Sequence, residues 1–192
     1  MNAKLFLGCV VLATVGMVGC ETGHRGEIGD GKATTQIAGF QAHPGELIVI
    51  GTTQIGRAED ALTFGQGFVA VNCKEFVNMR TGAKTFGIEL WVHPPGGPSS
   101  FGSVDYLEIE ALLMGLDQLT KIPASTTKLK EFEAEYQTKA DFRVSALDIS
   151  GSRVMFVSIG RDEIKRVRLD LNEADQLRRL IQTAKSTLDR LK

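Results

Sequence analysis

Cysteine and histidine are scarce in this sequence of 192 residues, which has three of each. Cys9 and Cys20 lie in the N-terminal segment, and Cys73 is the one cysteine in the body of the chain. An intrachain disulfide in the body is therefore excluded, and the fold must be stabilised by packing. The three histidines lie far apart and no thiols cluster with them, so the sequence predicts no metal site.

Signatures of catalysis are also missing. No G-x-S-x-G nucleophile elbow occurs in the sequence. Gly65-Gln66-Gly67 has no third glycine and precedes a strand pattern, so it fails as a dinucleotide or phosphate loop. The sequence thus predicts no cofactor and favours a non-enzymatic protein. An enzyme would need a titratable cluster that only the fold brings together.

Neither sign of charge is in large excess. The chain has 22 basic and 23 acidic residues, with a formal net charge of −1. Nucleic-acid binders gain much of their affinity from many Lys and Arg contacts to phosphates, so the sequence predicts no nucleic-acid partner. Hydrophobic residues make up 43% and charged residues 23% of the chain, which is typical of a globular protein with a sizeable core.

The N-terminal segment has the pattern of a secretion signal. Lys4 and the amino terminus give a positive start, and the run from Leu5 to Val18 carries no charge. This run is shorter than the roughly 20 residues that a membrane-spanning helix needs, and it has the length of a signal-peptide core. It ends at Val18-Gly19-Cys20, two small residues directly before a cysteine.

These residues resemble the lipobox of bacterial lipoproteins, with Met17 where the family usually has leucine. The resemblance implies that the chain is cut between Gly19 and Cys20 and that Cys20 receives a diacylglyceryl group. The membrane would then be a partner through the lipid on Cys20. Glu21, where the family's inner-membrane signal has aspartate, favours the outer membrane. The earlier pair Gly8-Cys9 has no apolar core before it and is discounted.

The rest of the chain divides into a tether and a domain. Residues 20–44 hold five glycines among polar residues, which predicts a flexible tether, although Ile37 and Phe40 are candidates to dock on the domain. Residues 45–192 predict a single α+β domain with a largely antiparallel sheet. Amphipathic helices are predicted at about 105–121, with Asp105 as cap, and at 172–191, with Asn172 as cap. The order of strands, helix, strands, helix suggests a weak internal duplication. It does not decide whether the strands form one sheet or two.

An irregular segment follows the strand predicted for Lys84 to Val92. It combines prolines and glycines from His93 to Ser100, so it cannot form a regular element. Trp91, His93 and Phe101 lie in or beside this segment. Aromatic side chains next to an irregular loop are typical of a binding surface, so these three residues are the candidate partner or ligand surface.

Two functions remain open from the sequence. The first is a lipid-anchored protein of the cell envelope, with its domain outside the cytoplasm, that binds an envelope protein or supports envelope structure. The alternative is a module that binds a small ligand in an apolar pocket with a few polar groups. Copurification with a partner protein would favour the envelope interaction protein, and an apolar pocket with a few polar groups would favour the small-ligand module.

Overall fold

The computed structural model describes residues 35–40, 44–161 and 165–192. The predicted signal peptide at residues 1–19 lies outside these ranges, as do Cys20 and most of the predicted tether. Within the described ranges, no helix combines the length and the hydrophobicity needed to cross a membrane.

Two antiparallel sheets of four strands each form the centre of the fold. Sheet A contains, in spatial order, β1 (Ile48–Glu59), β2 (Phe68–Asn78), β3 (Lys84–His93) and β4 (Ser100–Asp105). Sheet B contains β5 (Glu131–Gln137), β6 (Phe142–Ile149), β7 (Ser152–Ile159) and β8 (Arg166–Leu169). Each sheet is a meander in which neighbours in sequence are neighbours in space, as short connections favour. The tight turn between β2 and β3 places Gly82 at a φ of 69°, a left-handed conformation that glycine adopts without strain.

One face of each sheet is apolar because side chains alternate along a strand. The inner face of sheet A carries the buried residues Val69, Val71, Cys73, Ile88, Leu90 and Val104. The inner face of sheet B carries Val144, Ala146, Met155, Val157, Val167 and Leu169, all buried. These two faces and the helices below form one continuous hydrophobic core.

Three helices complete the described fold: α1 (Gln36–Gly39), α2 (Ile109–Lys121) and α3 (Leu171–Asp189). Helix α2 follows sheet A but packs on β5 and β6 of sheet B, and α3 follows sheet B but packs on β1 and β2 of sheet A. The Cys73 thiol donates to the Ala184 carbonyl of α3 at 3.5 Å. Gly115 of α2 faces the ring of Tyr136 in β5. This exchange of helices joins the two halves into one core.

The predicted α+β class is confirmed, and the strands form two sheets. Each half of the domain is a four-stranded meander followed by a helix, in the predicted order. The helices predicted at 105–121 and 172–191 are found at 109–121 and 171–189, and a 3-10 turn over Tyr106–Glu108 precedes α2.

The predicted cap at Asn172 is wrong, and Asp105 stands at the predicted N-cap position but does not make the predicted cap bond. The Asp105 side chain makes no cap bond to its own helix, because it accepts the backbone N–H groups of Gln36 at 2.7 Å and Ile37 at 3.0 Å. At the start of α3, Asp170 is the N-cap instead of Asn172. Its carboxylate accepts the backbone N–H of Glu173, whose side chain accepts the N–H of Asp170 in return.

The folded domain also begins earlier than predicted. Residues 35–40 fall within the predicted tether, yet they form α1, and Ile37 is buried on sheet A. The Ile37 side chain occupies the space above Gly87, where a Cβ would collide with it and with the Val104 carbonyl. The tether boundary is therefore corrected for 35–40, because this segment is held by an apolar contact and by Asp105.

Candidate functional site

Four ring side chains lie together on the outer face of sheet A, opposite α3. Phe68 pairs with His93 across β2 and β3, and Trp91 pairs with Phe101 across β3 and β4. Trp91 and His93 are two residues apart in one strand, so they share a face. We call Phe68, Trp91, His93 and Phe101 the aromatic face.

The rings of the aromatic face stack in two pairs. The centroids of Trp91 and Phe101 are 5.3 Å apart, and those of Phe68 and His93 are 4.8 Å apart. Trp91 is 38% exposed and Phe101 is 57% exposed. Such stacking restrains the rings before any partner arrives, so binding would cost little side-chain entropy.

Polar contacts fix the edges of this surface. The Trp91 indole N–H donates to Glu89 Oε1 at 2.6 Å, and the same oxygen accepts Lys74 Nζ at 3.0 Å. His93 Nδ1 lies 2.5 Å from Ser99 Oγ, and the Arg57 guanidinium lies 5.2 Å from the centre of the Phe68 ring. The rings are therefore oriented by side chains of the sheet and by Ser99 of the connection between β3 and β4.

Charges around the aromatic face cancel in pairs. Arg57 contacts Glu59 at 2.5 Å, and Lys74 contacts Glu89. A surface that stacks nucleic-acid bases normally combines its aromatic residues with excess positive charge along the backbone path. The aromatic face lacks that excess among the residues that the structure describes, and it is suited to a neutral or apolar contact.

The loop between β1 and β2 carries an unusual phenylalanine at the same end of the sheet as His93. Phe64 is 95% exposed and has a φ of 53°, which is rare for a bulky residue. The Asp60 carboxylate accepts the Leu62 N–H at 3.0 Å, and the Thr63 hydroxyl accepts the Gly67 N–H at 2.9 Å. These bonds hold the loop in shape while Phe64 faces solvent.

The structure thus brings together all three residues of the sequence-predicted surface. The segment around them differs from the prediction, because Phe101 lies inside β4 and only Pro94 to Ser99 connect the strands. Phe68 was missed by the sequence analysis. Its signal was the strict alternation along β2, which placed it on the face opposite Cys73. The predicted lipidation and cleavage residues, Cys20 and Gly19, lie outside the described residues.

A second surface feature is a polar groove of about 320 Å³ on the outer face of sheet B. We call it the arginine groove, and it is lined by Glu133, Glu135, Arg143, Ser145, Phe156, Ser158, Gly160, Arg161 and Arg166. Arg143 is buried, and its guanidinium contacts Glu135 of the neighbouring strand β5 at 2.5 Å and Asp141 at 2.9 Å. The Arg166 guanidinium lies 4.1 Å from the centre of the Phe156 ring.

Titratable groups also meet where α3 ends against the start of α2. Lys185 Nζ donates to Asp189 at 2.7 Å and to the Tyr106 hydroxyl at 3.0 Å, and Tyr106 donates to Asp189 at 2.6 Å. The bonds to Asp189 and Tyr106 raise the pKa of Lys185, and the bonds from Lys185 and Tyr106 lower the pKa of Asp189. Both groups are held in their charged forms, which stabilises the fold and is the reverse of what a general acid or base needs near neutral pH.

Two further groups have pKa values shifted by burial. Burial raises the pKa of the Cys73 thiol, so it is a poor nucleophile. Burial, with a smaller contribution from the nearby Glu108 carboxylate, raises the pKa of Tyr136. Both side chains pack in the core and serve the fold.

No family model, curated protein or solved structure matches this chain.

Proposed function

We propose that this chain is a lipid-anchored protein of the bacterial cell envelope that binds a partner protein through the aromatic face of sheet A. The observation that carries the binding part is the exposed, stacked pair of Trp91 and Phe101. Tryptophan and other aromatic residues dominate the binding energy of protein interfaces, since each buries a large area at a small entropic cost.

The anchoring part of the proposal comes from the sequence. Cys20 ends the apolar N-terminal run at a lipobox-like site, and Thr35 follows it by 15 positions. A fully extended chain of that length spans at most about 50 Å. An anchor at Cys20 would therefore keep the aromatic face close to the membrane, where an envelope partner is available at a high local concentration.

Phe64 supports the same proposal independently. Its left-handed backbone costs about 1–2 kcal/mol, and its exposed ring returns nothing to the fold. A contact with a molecule outside the chain would recover that cost. The loop tip and the aromatic face would then contact one partner at the same end of sheet A.

Copurification from crosslinked cells tests the partner proposal. The chain with Trp91→Ser and Phe101→Ser is compared with the unsubstituted chain and with a Leu129→Ser control, which changes an exposed apolar residue in a loop of the other half. The proposal predicts a specific protein that the unsubstituted and control chains recover and the double variant loses. Equal recovery by all three chains would refute a role for the aromatic face.

A small-ligand function is the second candidate, and the arginine groove favours it. Arg161 and Arg166 make no ion pair with any residue that the structure describes, while Glu133 and Glu135 line the opposite side. This arrangement fits a small zwitterion, with its anionic group at Arg161 and Arg166 and its cationic group at Glu133, since Glu135 is paired with Arg143.

Thermal unfolding in the presence of free amino acids tests the ligand function. A ligand at 100 times its Kd raises stability by about 2.7 kcal/mol, which shifts Tm by several degrees. Arg166→Gln should abolish that shift, and the control Arg178→Gln on α3 should keep it. No shift with any amino acid would remove this candidate.

A further inference from the structure

The outer edge of β1 presents unpaired backbone groups. The Met79 N–H donates to the Leu47 carbonyl at 3.0 Å, and the Asn78 N–H donates to Ala83 at 2.9 Å on the opposite side of β2. Backbone groups alternate along a strand, so odd-numbered residues in the first half of β1 face β2. The even-numbered residues point their N–H and C=O groups away, and no described residue bonds to them; they are Ile48, Ile50, Thr52 and Gln54.

Before the bulge between Gln54 and Gly56, this edge lacks the charged residues, prolines and covering elements that protect sheet edges from association. The sequence from Leu47 to Gly56 contains no charge and no proline. The edge strands of sheet B are protected, because β5 carries three glutamates and β8 carries two arginines. The remaining edge, β4, contacts sheet B. Charged residues and prolines are the usual protection against strand addition, and among the described sheet edges only the first half of β1, from Ile48 to Gln54, has neither them nor a cover.

The first half of β1 also exposes apolar side chains on both faces. Val49 is 47% exposed on the inner side, and Ile50 is 54% exposed on the outer side. Helix α3 covers β1 only beyond the bulge between Gln54 and Gly56, where a Gln176 amide donates to the Arg57 carbonyl at 3.2 Å. The uncovered stretch is therefore regular, uncharged and open at its edge.

We infer that the β1 edges of two copies of this chain pair antiparallel about a two-fold axis at Gly51, which joins their A sheets into one continuous sheet. In this register Ile48 lies opposite Gln54, and Ile50 lies opposite Thr52. Every outward-pointing N–H and C=O group of these four residues then bonds to the other copy, which gives about eight hydrogen bonds. A two-fold axis moved by one residue, to Ile50 or Thr52, leaves only about six hydrogen bonds between the two strands. A second copy fits better than a charged peptide because the edge is neutral and self-complementary.

The two-fold arrangement also ends the assembly. Each copy has one such edge, and pairing consumes both edges at once. The charged β5 and β8 edges of sheet B oppose further growth. The dimer does not depend on the proposed partner, because the aromatic face lies away from the β1 edge, on β2, β3 and β4.

Cysteine crosslinking tests this inference in the full chain in its own membrane. Gly51 lies opposite itself at a non-hydrogen-bonded position, where the two Cα atoms are about 4.5 Å apart, within the range that a disulfide spans. A cysteine fits there, since a Cβ at Gly51 has its nearest neighbour, Glu75 Cβ, at 3.7 Å. After mild oxidation, Gly51→Cys should run at twice the chain mass on a non-reducing gel, above the background of the unsubstituted chain.

Two variants serve as controls. Glu133→Cys places a thiol on the charged edge strand β5 and should give no dimer above background. Adding Ile50→Lys to Gly51→Cys should lower the crosslinked fraction several-fold, because the two lysines would lie diagonally across the two-fold axis on the same face and repel each other. Protection of Cys73 from a thiol reagent confirms in every sample that the domain is folded, since this thiol is buried.

The possible outcomes are distinct. Absence of the Gly51→Cys dimer with Cys73 protected, equal crosslinking from Glu133→Cys, or an adduct with a different protein would each overturn the inference. If Gly51→Cys exposes Cys73, that variant is not folded, and the mass of the unsubstituted chain in detergent then shows whether the chain is a dimer or a monomer. A dimer that Ile50→Lys converts to a monomer supports the inference, and a monomer without substitution overturns it. A lost partner with an intact dimer would count against the proposed function alone.

Discussion

Gly115 of α2 provides a sharp test of the helix exchange. A Cβ added at Gly115 would lie within 2.6 Å of Tyr136 Cγ and 2.8 Å of Cε2, closer than carbon atoms can approach. In an ordinary helix, Gly→Ala stabilises by about 1 kcal/mol. Here the Tyr136 ring or the helix must shift, and overpacking of this kind costs about 1–3 kcal/mol. Gly115→Ala should therefore lower the free energy of unfolding by about 1 kcal/mol and Tm by about 2–4 °C.

A double-mutant cycle isolates this contact. In a Tyr136→Ala background the ring is gone, so Gly115→Ala should regain its helix-propensity advantage of about 0.5–1 kcal/mol. Urea unfolding followed by circular dichroism measures all four chains. If Gly115→Ala stabilises both backgrounds equally, α2 does not pack on β5, and the exchange of helices between the halves is wrong.

Three further predictions follow from local contacts. Phe64→Gly should leave the free energy of unfolding unchanged or raise it by up to about 1 kcal/mol, because it relieves a left-handed backbone and removes an exposed ring; a clear loss in urea unfolding would contradict this. Asp105→Ala should cost about 2 kcal/mol and expose the segment around Ile37 to proteases, because two backbone N–H groups lose a charged acceptor; an unchanged cleavage pattern would contradict it. Asp189→Asn should make the free energy of unfolding fall less steeply below about pH 4. The pKa of Asp189 is lower in the folded chain than in the unfolded chain, so the carboxylate stabilises the fold at higher pH and loses this contribution as it is protonated. An acid limb identical to that of the unsubstituted chain in pH-dependent urea unfolding would contradict this prediction.

Side-chain periodicity predicted the strands and helices well, because it reflects which face each element buries. The alternation in β5 corresponds to a half-buried face, and the leucine spacing in α2 corresponds to a buried face. Periodicity cannot tell which surface an apolar face meets. The exchange of α2 and α3 between the sheets depends on contacts between residues far apart in sequence, such as Cys73 with Ala184.

Local polar bonds were the weaker part of the prediction. Asp105 and Glu108 have the spacing of a capping box, yet the Asp105 carboxylate binds α1, which lies 68 and 69 residues away in sequence. The three candidate surface residues were predicted because they lie in or beside a segment rich in proline and glycine. Phe68 and the arginine groove were missed, since only cross-strand register places residues of separate strands side by side.

The central claim is that a membrane-anchored chain meets a protein partner through the aromatic face. Its most direct measurement is photocrosslinking in living cells from a photoreactive amino acid placed at Phe101, compared between the native chain and a Cys20→Ser variant. The account predicts one major adduct with a second protein in the membrane fraction of the native chain, and its loss, together with release of the chain from the membrane, with Cys20→Ser. A native chain in the soluble fraction, or a membrane-bound chain that forms no adduct, would contradict it.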